Sequence, residues 1–320
     1  MVARGKLSIH TTNEVETMTY YEQDGKVFLT GCDSFDIEQT LESGQCFRFG
    51  RLGAGNYTLV AHGKVLHIEQ KGEEICFSPC TLSEFELIWH NYFDLGRDYD
   101  EVRAILSKGD KVMAEAVKFA PGIRMMNQDV WECLVSFIIS ANNRIPMIKQ
   151  VVKNISDKFG DEIPSENVYT GHPSVEYTFP TYTQLVNATA DDFAACKAGF
   201  RGKYIVDAIQ KVNSGQIKLD GFSALSTEEL KNELMSIKGV GVKVADCVLL
   251  FSCKRREIFP IDVWIRRVVQ ELYFGGREVP LNDLQAFASD KWGEHAGYAN
   301  QFLFHYARLH KIGTKSEVKA

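Results

Sequence analysis

The sequence has no apolar stretch approaching the ~20 residues that a membrane-spanning helix needs. Its first residues lack the basic-then-apolar pattern of a secretory signal, and no internal repeat or low-complexity tract divides the chain. Apolar residues make up 45% and charged residues 24% of the 320 positions, as in ordinary globular proteins. Membrane, fibrous and repeat classes are therefore excluded. The composition and the scattered cysteines predict a soluble, intracellular protein, and the length predicts two or three domains.

Paired cysteines are also missing. The eight cysteines are scattered, mostly within apolar segments, which favours buried reduced thiols over a disulfide framework. Cys76 and Cys80 have the spacing of half a metal clip, but no second pair with zinc-ligand spacing accompanies them. We expect neither disulfides nor a structural zinc ion.

The chain has no overall excess of positive charge, since its formal net charge is −6. The two parts differ, however: residues 1–200 contain 18 Lys and Arg against 28 Asp and Glu, whereas residues 201–320 contain 18 against 14. A negative total argues mildly against a nucleic-acid partner, but a basic C-terminal part leaves room for a local DNA-binding surface.

The pattern of apolar residues divides the chain. Residues 1–25 are polar and irregular, and little order is expected before Tyr20. Residues 26–120 begin with alternating segments separated by His-Gly and Lys-Gly turn signals, which predict a twisted antiparallel sheet followed by helices. Residues 121–320 are helical apart from a predicted loop at 160–180. The predicted fold class is α+β, with an N-terminal β-sheet domain and an all-α region.

A helix–turn–helix segment stands out at residues 227–253. Apolar residues at helical spacing precede and follow Gly239 and Gly241, which lie in a tight Gly-x-Gly turn. The second helix then begins with free N–H groups and a positive dipole end, which is a suitable site for a phosphate. A plain helical hairpin, in which the glycines only form the turn, is the alternative.

Two residues near this hairpin suggest chemistry. Lys243 falls in the first turn of the second helix, and its side chain can supply a nucleophilic amine. Asp262 follows Pro260 and precedes a helical pattern, so its simplest role is that of an N-cap. A carboxylate close to a lysine nucleophile could instead stabilise positive charge on a sugar or relay protons.

The segment Gly-Val-Gly-Val-Lys-Val-Ala-Asp-Cys, followed by Pro-Ile-Asp-Val, resembles the helix-hairpin-helix, Gly/Pro…Asp signature of DNA glycosylases. More narrowly, it resembles the 8-oxoguanine DNA glycosylases, and the likeness extends from about Lys26 to Arg308. The resemblance implies a monomeric, cofactor-free enzyme of base excision repair that acts on damaged double-stranded DNA. It would excise 8-oxoguanine through a lysine Schiff base and cleave the strand, in the cytoplasm or nucleoid of a prokaryote or the nucleus of a eukaryote.

The resemblance also implies roles for individual residues. Lys243 and Asp262 would be catalytic. Phosphate would be contacted by the backbone N–H groups of three hairpin residues, Gly239, Gly241 and Val244. The indole of Trp264, which replaces a histidine, would contact phosphate as well. The hairpin carbonyls of Ile237 and Val240 are candidate ligands for an alkali cation.

Four residues would recognise the flipped base. The segment Ser-Gly-Gln-Cys-Phe-Arg matches a family segment whose glycine carbonyl accepts a hydrogen bond from N7–H of 8-oxoguanine, which points to Gly44. Cys247 and Phe304 would sandwich the base. Asn300 stands where better-known members have a base-binding glutamine. A turn glycine and ordinary core packing are the corresponding structural alternatives.

A last group would face the opposite strand. Asn142 matches an asparagine that fills the gap left by the base, although it could simply cap a helix. Phe200 and Arg201 match an aromatic wedge and an arginine that contacts the orphaned cytosine. Met147 occupies the position of a second cytosine-reading arginine, and a methionine cannot donate hydrogen bonds to cytosine. We therefore expect a weakened preference for cytosine.

Two other functions remain open. A monofunctional glycosylase of the alkyl-purine type would share the fold and Asp262 but use water as the nucleophile, against which Lys243 argues. A non-catalytic helix-hairpin-helix module would bind DNA with little lesion preference. No cysteine cluster follows the last predicted helix, so the iron–sulfur cluster of endonuclease-III-like relatives is not expected.

Overall fold

The computed structural model describes residues 4–8, 17–166 and 173–313. Its N-terminal part is one antiparallel seven-stranded sheet with the order β1-β2-β3-β7-β6-β5-β4. The strands are β1 (Arg4–Ser8), β2 (Thr17–Gln23), β3 (Lys26–Thr30), β4 (Phe49–Gly53), β5 (Asn56–Ala61), β6 (Lys64–Lys71) and β7 (Glu74–Ser78). The predicted α+β class with an N-terminal antiparallel sheet is confirmed.

Alternation of buried and exposed side chains explains the sheet. In β3, Val27 and Leu29 are buried while their neighbours are not. The turn between β2 and β3 contains Asp24 and Gly25, both with positive φ (54° and 70°), which suits a two-residue hairpin. One face of the sheet thus packs on a core that includes Trp89, Phe93 and other aromatic residues of the following helices.

Two expectations about irregular segments were wrong. Within residues 1–25, Arg4–Ser8 and Thr17–Gln23 form strands β1 and β2, whereas the expectation for residues 1–3 and 9–16 lies outside the described residues. Strand β2 pairs with β3, and its Met18 and Tyr20 are buried while Thr19 is exposed. The predicted loop at 160–180 contains an antiparallel pair, β8 (Glu162–Glu166) and β9 (Pro173–Tyr177). Proline, glycine and serine there mask a two-stranded pairing that local composition does not reveal.

The remaining chain is helical. A short helix, α1 (Ile37–Leu41), precedes β4, and α2 (Leu82–Glu84) continues through a π-helical turn at Phe85–Trp89 into α3 (His90–Tyr92). The larger helices are α4 (Tyr99–Ser107), α5 (Lys111–Phe119), α6 (Val130–Ser140), α7 (Ile145–Phe159), α8 (Ala190–Ala195), α9 (Gly202–Asn213), α10 (Thr227–Met235), α11 (Val242–Phe251), α12 (Val263–Phe274), α13 (Leu281–Trp292) and α14 (Ala296–His310). None of the helices described is long and apolar enough to cross a membrane.

Buried polar side chains join the sheet to the helices. The Gln45 side chain donates to the carbonyls of Thr40 and Arg124 (3.1 and 2.7 Å) and accepts from the Met126 N–H (2.8 Å). The Arg124 guanidinium, fully buried, donates to Ser34 Oγ at 2.9 Å. The segment between α1 and β4, which contains Ser43 and Gly44, is therefore anchored on the helical part.

Candidate active site

One pocket collects all six of the predicted catalytic and base-recognition residues. Five parts of the chain line it: the segment between α1 and β4, the end of α6 with the start of α7, helix α11, the start of α12, and α14. Its lining includes Gly44, Lys243, Cys247, Asp262, Asn300 and Phe304. Residues separated by up to 260 positions in sequence thus face a common space.

Lys243 lies in the first turn of α11 and is half-buried. Its Nζ donates to Ser140 Oγ at 3.2 Å and lies 5.2 Å from the centre of the Phe137 ring. The Ser140 hydroxyl in turn donates to the Phe137 carbonyl at 2.7 Å. Ser140 therefore presents only an acceptor to the lysine, which holds the amine in the pocket.

Asp262 is the N-cap of α12, as its simplest interpretation predicted. Its Oδ1 accepts from the Ile265 N–H at 2.7 Å. The second carboxylate oxygen has no hydrogen-bond partner in the described part of the chain, and the residue lines the pocket beside Lys243. One carboxylate can thus cap a helix and face the substrate.

Gly44 combines a structural requirement with a free polar group. Its φ is +80°, and a Cβ at this position would lie 2.8 Å from Phe304 Cε1. A larger residue would be strained and would collide with the ring. No hydrogen bond within the described residues uses the Gly44 carbonyl, so this oxygen is available to a ligand in the pocket.

Cys247 and Phe304 line the pocket from different helices. Cys247 lies one turn after Lys243 on α11 and is buried. Burial raises the pKa of the Cys247 thiol to about 11, although Lys243 acts in the opposite direction. The thiol is consequently neutral at physiological pH. A neutral thiol and an aromatic ring both suit contact with the flat face of a base.

Asn300 lies on α14 with its amide already engaged. Its Nδ2 donates to the Pro260 carbonyl at 2.8 Å, and its oxygen has no partner among the described residues. The adjacent Gln301 also lines the pocket, and its Nε2 donates to the Ser43 carbonyl at 2.6 Å. Sequence reasoning missed Gln301 and Ser140, because neither belongs to a recognisable motif and both act through contacts that are distant in sequence.

The hairpin between α10 and α11 has the predicted free N-terminus. Gly241 is the N-cap of α11 and offers no side chain to its N–H groups. Gly239 has φ +79°, and a Cβ there would lie 2.3 Å from the Tyr204 ring. The Ile237 carbonyl accepts from the Val240 N–H at 3.1 Å. The turn is exposed, and the N–H groups of Gly239, Gly241 and Val244 have no hydrogen-bond partner among the described residues, so they are available to a phosphate.

Trp264, which is expected to contact phosphate, has its indole N–H turned inward in this structure. Its Nε1 is buried and has no hydrogen-bond partner in the structure described, so the indole N–H does not face a phosphate in this conformation. The indole packs against the helical core instead.

The residues expected to face the opposite strand lie around the end of α6. Asn142 is exposed and has φ +50°, an uncommon conformation for a residue other than glycine. Arg201 is 8% exposed, and its guanidinium donates to the carbonyls of Ala141 and Asn142, each at 2.8 Å. Phe200 and Met147 are 52% and 45% exposed. Arg201 therefore supports the backbone at Asn142, and in this conformation most of its polar surface is turned inward.

Comparisons with known proteins identify the family of this chain. Residues 28–134 match the N-terminal domain model of 8-oxoguanine DNA glycosylase, and residues 135–292 match the HhH-GPD superfamily of base excision DNA repair proteins. A probable N-glycosylase/DNA lyase of Methanothermobacter thermautotrophicus is 28% identical over 86% of this chain and 94% of its own length.

Solved structures give the same result. The structure of MBOgg1 in complex with a low affinity DNA ligand is 45% identical, with a TM-score of 0.87, and covers 92% of this chain and 99% of that one. The Clostridium acetobutylicum 8-oxoguanine glycosylase/lyase, in complex with double-stranded DNA containing cytosine opposite 8-oxoguanine, is 38% identical with a TM-score of 0.86, and covers 92% and 98%. The chain belongs to the 8-oxoguanine DNA glycosylase family of the HhH-GPD superfamily.

Proposed function

We propose that this protein is a bifunctional DNA glycosylase and lyase that excises 8-oxoguanine from duplex DNA, with Lys243 forming a Schiff base. The observation that carries the proposal is the meeting of an amine, a carboxylate and an unused backbone carbonyl in one pocket: Lys243, Asp262 and Gly44. Family membership and the glycosylase/lyase relatives support the substrate class.

Base recognition follows from hydrogen-bonding chemistry. A base inside a duplex is out of reach, so it must be unstacked and held in the pocket. There Cys247 and Phe304 would contact its faces, and the Gly44 carbonyl would accept from N7–H of 8-oxoguanine. Unmodified guanine has a bare acceptor at N7, which would repel the carbonyl and leave a buried acceptor unpaired. One oxygen thereby separates the two bases.

The chemistry uses the two side chains at the pocket. The Lys243 amine attacks C1′, a C–N bond forms, and the glycosidic electrons leave with the base, which takes up a proton. The Asp262 carboxylate stabilises positive charge on the sugar. Opening of the sugar ring with loss of a proton from nitrogen gives the Schiff base. Removal of a C2′ proton then expels the 3′ phosphate and cleaves the strand.

The hairpin would hold the DNA during these steps. Backbone N–H groups of Gly239, Gly241 and Val244 would bind a phosphate without reading sequence. An alkali cation on the carbonyls of Ile237 and Val240 would neutralise part of the same phosphate. A monomer suffices for this arrangement, since all of these groups come from one chain.

Borohydride trapping on a duplex with one 8-oxoguanine tests the proposal. We expect a covalent adduct with the wild type and with Lys153→Gln, a control at an exposed lysine on α7, and none with Lys243→Gln. Strand cleavage retained by Lys243→Gln would contradict the Schiff base.

The same assay separates the alternatives. Base release detected by alkali, without an adduct, would assign the protein to the water-using class. DNA binding with neither signal would indicate a non-catalytic module. The half-buried amine of Lys243, held by Ser140 in the pocket, favours the lysine mechanism.

A further inference from the structure

Gln301 connects two parts of the pocket that are distant in sequence. Its Nε2 on α14 donates to the Ser43 carbonyl at 2.6 Å across 258 positions of the chain. The side chain is 2% exposed and lines the pocket together with Ser43 and Gly44. A short, buried hydrogen bond of this kind fixes the orientation of the peptide group that it contacts.

The peptide group between Ser43 and Gly44 directly precedes the Gly44 carbonyl, which is the group proposed to bind N7–H of the base. The Ser43 carbonyl and the Gly44 N–H belong to the same plane, so holding one orients the other. On the following side, the Gln45 carbonyl accepts from Gln128 Nε2 at 2.7 Å and the Gln45 side chain is fixed in the core. Gly44 itself has no side chain, and no hydrogen bond from the described residues holds it. Its direction therefore depends on these two flanking anchors.

The amide oxygen of Gln301 is a second group that can accept a hydrogen bond in the pocket. It has no hydrogen-bond partner among the described residues, while the amide nitrogen is held by Ser43. The neighbouring Asn300 is tied to Pro260 by its own amide nitrogen. A purine with N–H groups on its edge requires acceptors, and two amide oxygens join the Gly44 carbonyl in supplying them.

We propose that Gln301 is a specificity-determining residue that aims the Gly44 carbonyl at the base and adds an acceptor to the pocket. This inference rests on the proposed function. The hydrogen bond between Gln301 and Ser43 joins helix α14 to the segment between α1 and β4, across the pocket. It therefore couples lesion recognition to the position of α14. Lys243 and Asp262 lie on other elements and do not depend on it for their own contacts.

Two reactions distinguish this role from a general effect on the fold. Excision of 8-oxoguanine needs base recognition, whereas cleavage of a duplex that already contains an abasic site needs only the amine chemistry. In Gln301→Met, which keeps length and shape, and in Gln301→Glu, which removes the donor, we expect kcat/KM for excision to fall about 10- to 100-fold. Cleavage at the abasic site should stay within about 2-fold, which also reports that the variants fold.

Gln270→Met is the matched control. Gln270 is 8% exposed on α12, and its Nε2 donates to the Val279 carbonyl at 3.3 Å outside the pocket lining. The control should leave the ratio of excision to abasic-site cleavage unchanged. The Gln301 variants should also excise unmodified guanine relatively better than the wild type does.

The outcomes distinguish the proposed role of Gln301 from the proposed activity on 8-oxoguanine. An unchanged ratio in both Gln301 variants, or an equal fall in both reactions, would overturn the role of Gln301 alone. Failure of the wild type to release 8-oxoguanine, with abasic-site cleavage intact, would overturn the proposed substrate and the inference that depends on it.

Discussion

Asp262 and Gly44 each have a structural role in the fold and a proposed role in the chemistry. Asp262 caps α12 with one oxygen and faces the pocket with its carboxylate. Gly44 adopts a left-handed conformation in contact with Phe304 and leaves its carbonyl free. For both residues, the structural interpretation is confirmed, and the proposed functional role uses a group that the structural role leaves available. Substitutions must therefore separate the two roles.

Asp262→Asn achieves that separation. Asparagine is as good an N-cap as aspartate, so stability should change by less than about 0.5 kcal/mol, whereas Asp262→Ala should lose about 1 kcal/mol. Removal of the negative charge should lower the rate of base excision about 10²- to 10³-fold in both variants. Single-turnover excision and urea unfolding measure the two effects. Excision by Asp262→Asn at the wild-type rate would remove the carboxylate from the mechanism.

Met147 bears on the preference for the base opposite 8-oxoguanine. It is 45% exposed, and a methionine supplies no hydrogen bond to cytosine, while Arg201 is largely occupied with the backbone of Ala141 and Asn142. We expect 8-oxoguanine to be excised opposite adenine, guanine and thymine at rates within about tenfold of that opposite cytosine, since one missing polar pair is worth about 1–3 kcal/mol.

Met147→Arg should increase the preference for cytosine opposite 8-oxoguanine. Its exposed position allows the larger side chain without displacement of the core. The measurement is kcat/KM on four duplexes that differ only in the opposing base. Discrimination by the wild type as strong as that of Met147→Arg would show that another group reads the cytosine.

At the scale of elements, the hairpin between α10 and α11 offers a comparison of two glycines. A Cβ at Gly239 would meet the Tyr204 ring at 2.3 Å in a left-handed conformation, whereas Gly241 has φ −97° and open space. Gly239→Ala should therefore cost about 1–3 kcal/mol of stability. Gly241→Ala should leave stability nearly unchanged but weaken binding to undamaged duplex DNA, because a methyl group would stand where a phosphate approaches.

Thermal unfolding and fluorescence anisotropy with duplex DNA test this pair. Equal destabilisation by both substitutions would mean that the turn geometry, and not the contact with Tyr204, determines the cost at Gly239. Unchanged DNA affinity in Gly241→Ala would place the phosphate elsewhere.

The elements that sequence predicted well are those with strong local signals. The helix–turn–helix segment predicted at residues 227–253 is present, and its first helix, α10, begins at Thr227. The pair β8 and β9 escaped prediction because its residues are polar and turn-forming, and pairing is decided by the partner strand. Likewise, motif residues such as Lys243 could be found from local pattern, whereas Gln301 depends on a contact 258 positions away.

At the scale of the whole molecule, the pocket lies where the sheet-bearing part meets the helical part. Arg256 Nη1 donates to Leu250 O and Nη2 to Asn127 Oδ1, each at 2.6 Å, and Asp94 lies 3.8 Å away. The Nε of the same guanidinium is buried without a partner among the described residues, so loss of the bond to Asn127 would leave more of a buried charge unpaired. The contacts of Arg256 therefore join the two parts beside the pocket.

Stability should also depend on pH through a buried histidine near this junction. His305 on α14 is 5% exposed, and its Nδ1 has no partner among the described residues. Burial lowers the pKa of His305 to about 4, and the charge of Arg308 acts in the same direction. The unfolded chain, with a pKa near 6.5, binds the proton more readily. The free energy of unfolding should therefore fall as pH decreases from about 6.5 to about 4.

His305→Phe should remove this contribution, since an aromatic ring of similar size fills the site without titrating. Urea unfolding of both proteins between pH 4 and 7 measures the difference, in which the titration of the carboxylates cancels. Burial also lowers the pKa of His62 and His90, so the variant should keep part of the slope. Parallel curves for the two proteins would mean that His305 becomes protonated in the folded state without cost, which requires that α14 opens to water at acidic pH.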